Sequence, residues 1–194
     1  MSDAAARGRE KGVNHARMGD DAMALRCEGR LVELDLDIEE PWPAGGWDAL
    51  ASRTAEAAQA VAPELASPRL SVSLLLTSDA EIHALNRDWR QRDKATNVLS
   101  FPMLSRDEVL GLAADGPPVL LGDVALAHET CEREAAEKGI PLEHHAAHLI
   151  VHGLLHLAGY DHEISTADAE AMEALETKAL AICGIADPYG DRVS

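Results

Sequence analysis

Eleven residues near the C-terminal end carry the most chemistry in this chain: His152-Gly153-Leu154-Leu155-His156-Leu157-Ala158-Gly159-Tyr160-Asp161-His162. The histidines follow an H-x3-H-x5-H spacing. His152 and His156 lie one helical turn apart, so both imidazoles leave the same helix face. Gly159 can end that helix in a left-handed turn. The chain can then double back and bring His162 to the same point. Three neutral imidazoles meeting at one point make a tridentate zinc site with one position open. That is the layout of a catalytic centre rather than a closed structural one. We expect one Zn2+ per chain, held by His152, His156 and His162.

The spacing equals the first part of the zinc-protease pattern H-E-x-x-H-x-x-G-x-x-H, and His156, Gly159 and His162 are in register with it. Position 153 departs from it. A protease carries its general-base glutamate there, and this chain has Gly153. The cage is present and the peptidase base is absent, so peptide hydrolysis is not the leading expectation. His148, one turn before His152, reads as a packed helix histidine, with an outer-shell or proton-shuttle role as the alternative. His145 reads the same way, and His144 and His128 read as surface residues. Asp161 either orients water or a ligand, or fixes the turn. Asp123 either bonds a ligand imidazole from outside or shapes a strand bulge beside Gly122.

These groups need a scaffold. Leu31 to Ile38 alternates apolar and acidic residues, the pattern of a half-buried strand. Trp47 to Ala62 is alanine-rich and predicts a helix. Leu70 to Leu76 alternates with serine and predicts a second strand. Ser78-Asp79-Ala80-Glu81 is a capping box opening a helix to Arg90. Val98 to Phe101 predicts a third strand, stopped by Pro102. Ser105 to Pro118 reads as a surface loop, and Val119 to Ala127 as a fourth strand interrupted at Gly122-Asp123. Glu129 to Lys138 is a polar helix, Pro141 opens the histidine helix, and Ser165 to Ile182 is a final amphipathic helix. Strands precede helices, so the expected fold is α+β: one domain with a small four-stranded mixed sheet, about five helices, and the metal site on a central helix.

The chain of 194 residues suits one domain with a real core. We expect residues 1–28 to be a disordered N-terminal extension, residues 29–190 the folded domain, and residues 191–194 a tail. Aromatic residues are only 3% of the total, so Leu, Val, Ile and Ala must build the interior. No apolar stretch is long enough to span a bilayer, and no apolar run follows the basic N-terminal residues as a secretory signal would. Cys27, Cys131 and Cys183 form no CxxC pair, which indicates neither a disulfide framework nor a thiolate zinc site. Free thiols fit a cytoplasmic protein. A formal net charge of −17 argues against broad nonspecific nucleic-acid binding.

The stretch His152 to His162 matches the HGxLHLxGYDH signature of the YbeY family of bacterial endoribonucleases, which this chain therefore resembles. Leu85 to Pro102 resembles that family's N-x-x-Y-R-x-x-D-x-P-T-[DN]-V-L-S-F-P segment, with Trp89 for the usual tyrosine and Ala95 for the usual proline. Leu121-Gly122-Asp123 resembles its L-G-D strand, and Met172 to Glu176 its E-M-E-x-L-E helix. Together the similarity covers about residues 31–189. The resemblance implies a four-stranded sheet with helices around a central metal-bearing helix. It also implies a zinc-dependent, single-strand-specific endoribonuclease acting in 16S ribosomal RNA 3′-end maturation and ribosome quality control. The implied partners are single-stranded RNA and the ribosome or its small subunit, with no membrane. It carries metal binding to His152, His156 and His162, and a catalytic role to Arg90.

Position and residue type alone make Arg90 an exposed helix-end arginine. The resemblance makes it a phosphate clamp, since a guanidinium binds phosphate bidentately. Arg87, Arg90, Arg92 and Lys94 form a local basic island against Asp88 and Asp93, which suits phosphate steering on an acidic protein. The nucleophile stays open between water activated at the metal and the RNA 2′-hydroxyl, and no general base is identified. The alternatives are a metalloprotease-like zinc hydrolase and a non-catalytic ribosome-assembly factor with a structural zinc.

Overall fold

A computed structural model describes residues 32–162 and 165–190. The expected N-terminal extension and C-terminal tail lie outside these residues. Four strands, β1 (Glu33–Ile38), β2 (Leu70–Thr77), β3 (Val98–Pro102) and β4 (Val119–Ala127), form one sheet in the order β1-β2-β4-β3. β1 and β4 run parallel to β2, and β3 runs antiparallel to β4. The sheet is therefore mixed, as the order of elements predicted.

Among the described residues the helices are α1 (Trp47–Val61), α2 (Asp79–Arg90), α3 (Arg106–Leu110), α4 (His128–Lys138), α5 (Leu142–Leu157) and α6 (Thr166–Ile182), with a 3-10 turn at Pro63–Leu65. This is one more than the sequence suggested, because α3 arises inside the segment read as a loop. Its cause is local: Ser105 and Glu108 form a reciprocal capping box, which satisfies orphan amides at the start of a five-residue helix. A helix this short gives no periodic apolar signal.

The two sheet faces differ. Val72, Leu74 and Leu76 of β2 and Leu121, Val124 and Leu126 of β4 face the main core, where α1, α5 and α6 pack. Alternate residues point the other way. There Leu99, Ala125 and Ala127 meet Ile82 of α2 in a smaller cluster. The period-two alternation of strand side chains produces this division.

α5 is the central helix. It contacts α1, α4, α6, β3 and β4, and Leu149, Ile150, Val151, Leu154, Leu155 and Leu157 are all buried. Gly153 is the point of closest approach to the sheet. A Cβ there would lie 2.7 Å from Cγ1 of Val124. The residue that distinguishes this chain from the protease pattern is thus favoured by packing, since a side chain at that position must displace the Val124 side chain.

Candidate metal centre

The site is assembled at the C-terminal end of α5. His152 and His156 are half-buried on one face. The helix then closes through bonds from the Gly159 amide to the His156 carbonyl (2.9 Å) and from the Tyr160 amide to the Leu155 carbonyl (3.0 Å). Gly159 has φ +85°, a left-handed conformation that a side chain strongly disfavours. This turn returns the chain toward the helix and brings His162 back to the other two rings. One ligand nitrogen from each of the three histidines lies within 4.8 Å of the others. Among the described residues, no fourth His, Cys, Asp or Glu joins the group.

The turn is clamped by α3. Arg106 donates to the Ala158 carbonyl (3.0 Å), pairs with Glu64 (3.2 Å), and stacks 4.2 Å above the Tyr160 ring. The helix that the sequence reading missed therefore supports the loop that carries His162.

The partner that orients His152 comes from α6. Glu176, 1% exposed, accepts from Nδ1 of His152 through Oε1 at 2.7 Å. Its Oε2 meets Nε2 of His148 at 3.0 Å and the Tyr189 hydroxyl. A bond at Nδ1 leaves Nε2 of His152 as the ring atom open to a ligand, which is how outer carboxylates commonly fix metal-binding histidines. Burial alone would raise the Glu176 carboxyl, but the bonds from His148 and His152 outweigh it and hold it at about 2. Burial, followed by the neighbouring His152 and His162 rings, pushes His156 down to about 4. It is therefore neutral near pH 7, the form a metal requires.

These features correct several sequence expectations. Asp123 is not the outer partner of an imidazole. It lies next to Val124 and so points to the opposite sheet face, with Ser73 and Phe101. The neighbouring bulge is real, since the β2–β4 register skips Leu121 between the Ser71–Leu120 and Val72–Gly122 pairs. His128 is buried rather than on the surface, with its ring 5.2 Å from Trp42. It opens α4 directly after β4, so its position is set by the core and not by its polarity. His144 is half-buried. His145 is a packed helix histidine whose Nε2 meets Glu134 at 2.7 Å. His148 combines packing with a link to the site through Glu176. Glu176 itself was visible in sequence only as part of the Met172–Glu176 resemblance, because nothing in an amphipathic helix shows which glutamate is buried.

The histidine cluster opens into a hollow of about 560 Å³. Arg90, Arg92, Asn97, Ser100, Tyr160 and Asp161 line it as well. Arg90 thus faces the same space as the histidines although 62 residues separate it from His152. Arg87 instead pairs with Asp88 at 2.9 Å. Among the described residues Arg90 and Arg92 form no ion pair.

The donor set fits a metal ion. Three imidazoles suit zinc, whose tetrahedral ligand nitrogens stand roughly 3.4 Å apart at bonds of about 2.1 Å. Small side-chain rotations from the observed spacing reach that distance. The sequence model of the family described as endoribonuclease YbeY matches residues 46–184. The chain belongs to the endoribonuclease YbeY family. An endoribonuclease YbeY of Erythrobacter litoralis is 62% identical over 161 residues, which cover 83% of this chain and 99% of that protein. One of Novosphingobium aromaticivorans is 64% identical over 158 residues, covering 80% of this chain and 95% of its own. A Thermotoga maritima protein of known solution structure shares the fold at a TM-score of 0.51 and 24% identity, over 83% of this chain and 91% of that one. The YbeY match spans every element from α1 to α6, so it includes all the side chains that build the hollow except Tyr189 on the network behind it. Among the described residues, no helix is long and apolar enough to cross a membrane.

Proposed function

We propose that this YbeY family member is a zinc-dependent endoribonuclease that cuts single-stranded RNA at the His152–His156–His162 centre, with Arg90 holding the scissile phosphate. The observation that carries this reading is the shared hollow: three converging imidazoles and Arg90, which forms no ion pair among the described residues, line one space. We assign the 3′ end of 16S ribosomal RNA, within the small subunit, as the substrate and the cytoplasm as the place of action. Both assignments are supported by the family likeness.

His152, His156 and His162 would hold the ion. When bound, zinc supplies Lewis acidity toward a phosphoryl oxygen or toward water. The residues of the chain supply the remainder. The Arg90 guanidinium can take two phosphate oxygens and neutralise the charge that gathers there during cleavage. Arg92 adds a second positive charge to the lining of the same hollow. Glu176 fixes the His152 ring and its tautomer. The local positive wall offsets the formal net charge of −17, because a phosphate inside the hollow feels the nearest charges most strongly.

A peptidase reading is opposed by Gly153, whose surroundings leave no room for a general-base carboxylate. A closed structural metal is opposed by the three-ligand cluster and its opening onto the hollow. The test is cleavage of a single-stranded RNA and of casein, each with and without chelator. We expect RNA alone to be cut, and chelation to stop it. Cleavage of RNA by metal-free protein overturns the proposal, as does casein hydrolysis without RNA cleavage.

A further inference from the structure

Trp89 is 75% exposed, the most exposed large apolar side chain among the described residues, while Trp42 and Trp47 are buried. It stands on the last turn of α2, one residue before Arg90. Trp89 lines a hollow of about 330 Å³ on the outer sheet face, with Leu75, Leu85, Phe101 and Met103. This hollow adjoins the histidine hollow. Two chain segments show it: Trp89 and Arg90 are consecutive and face different hollows, and Pro102 lines the histidine side while Phe101 and Met103 line the other. β3 is the edge strand of the sheet, and its alternate residues line the two spaces. The surroundings are locally basic, since Arg90 and Arg92 are exposed and have no ion pair among the described residues.

An indole beside an exposed arginine at the rim of a phosphate-cleaving site matches how single-stranded nucleic acid is held, with bases stacked on aromatic rings and phosphates on cations. Resting on the function proposed above, we propose that Trp89 is a positioning residue. It stacks the unpaired base next to the phosphate held at Arg90, and the apolar hollow beside it receives that base. Trp89 and Arg90 are consecutive on the last turn of α2, so one helix end presents the ring to one hollow and the guanidinium to the next. In a duplex, stacked neighbours cover both faces of a base, so this contact also selects single strands. Uniform sequence preference is expected to be slight, because every base offers a π face.

Two measurements on the zinc-loaded full-length protein test this. In the first, tryptophan fluorescence is followed in stopped flow as a short single-stranded oligoribonucleotide binds, before turnover. Quenching is expected in wild type and lost in Trp89→Phe. In the second, steady-state cleavage compares wild type, Trp89→Ala and Trp89→Phe. Trp89→Ala is expected to raise KM about tenfold or more with kcat changed little, Trp89→Phe to recover most of that loss, and thermal midpoints to match wild type. Unquenched Trp89 fluorescence overturns the proposal even if RNA is cleaved, and so does an unchanged KM in Trp89→Ala. Failure of wild type to cleave RNA overturns the endoribonuclease reading instead, and the quenching result still decides the role of Trp89.

Discussion

Replacing Glu176 with glutamine keeps the side-chain volume and removes its charge. In the native fold this carboxylate is 1% exposed and accepts from His152, His148 and Tyr189. A carboxyl held at about 2 rather than 4.5 contributes roughly 3 kcal/mol at neutral pH, since each tenfold change in acidity is about 1.4 kcal/mol. Glutamine offers one acceptor and one NH2 group, so one of the two imidazole N–H groups faces a donor. We expect Glu176→Gln to lower the unfolding free energy of the metal-free protein by roughly 3 kcal/mol at pH 7, measured by urea denaturation. The sign of the pH dependence follows from the depressed value. The folded carboxyl binds its proton more weakly than the unfolded one, so its contribution is complete above the ordinary carboxyl value. The gap between wild type and variant therefore narrows only as pH falls below about 4.5 toward about 2. The same change frees the His152 ring to rotate and should weaken metal binding about 10- to 100-fold in a chelator competition titration. A variant that unfolds at the wild-type urea concentration at pH 7 and holds metal as tightly refutes this account of Glu176.

Arg90→Ala should keep wild-type metal content and circular dichroism while kcat/KM for RNA falls by about 100-fold or more. Retained cleavage removes Arg90 from the mechanism. His156→Ala should lose bound metal and cleavage together, measured by atomic absorption and an RNA assay on the same preparation. Activity surviving without metal overturns the centre as a whole. Gly153→Ala sets two effects against each other: helix propensity favours alanine by about 1 kcal/mol, whereas overpacking against Val124 costs about 1–3 kcal/mol. The clash should win and lower the thermal midpoint by several degrees. A raised midpoint means that β4 yields more readily than the close contact suggests.

Local patterns in the sequence made much of this protein legible. Alternation marked β1 and β2, since each strand has one face on the core and one off it. The H-x3-H spacing and Gly159 made the histidine cluster legible, because its three members lie within one helix end and one turn. What depended on distant parts of the chain was not legible. Glu176 reaches His152 from α6 across 24 residues, and only the packing of α6 on α5 decides which of its glutamates is buried. The sequence offers Asp123 for that role, with a strand bulge beside Gly122 as the alternative, and the sheet's pleat turns it to the other face. His128 looked like a surface residue until the junction of β4 and α4 placed it against Trp42. The sequence by itself determined which three histidines converge, because helix periodicity puts His152 and His156 on one face and the Gly159 turn brings His162 back to them. The tertiary structure alone decided that Arg90 shares a hollow with those histidines and that a side chain at position 153 presses on Val124, because both depend on how α5 lies against β3 and β4.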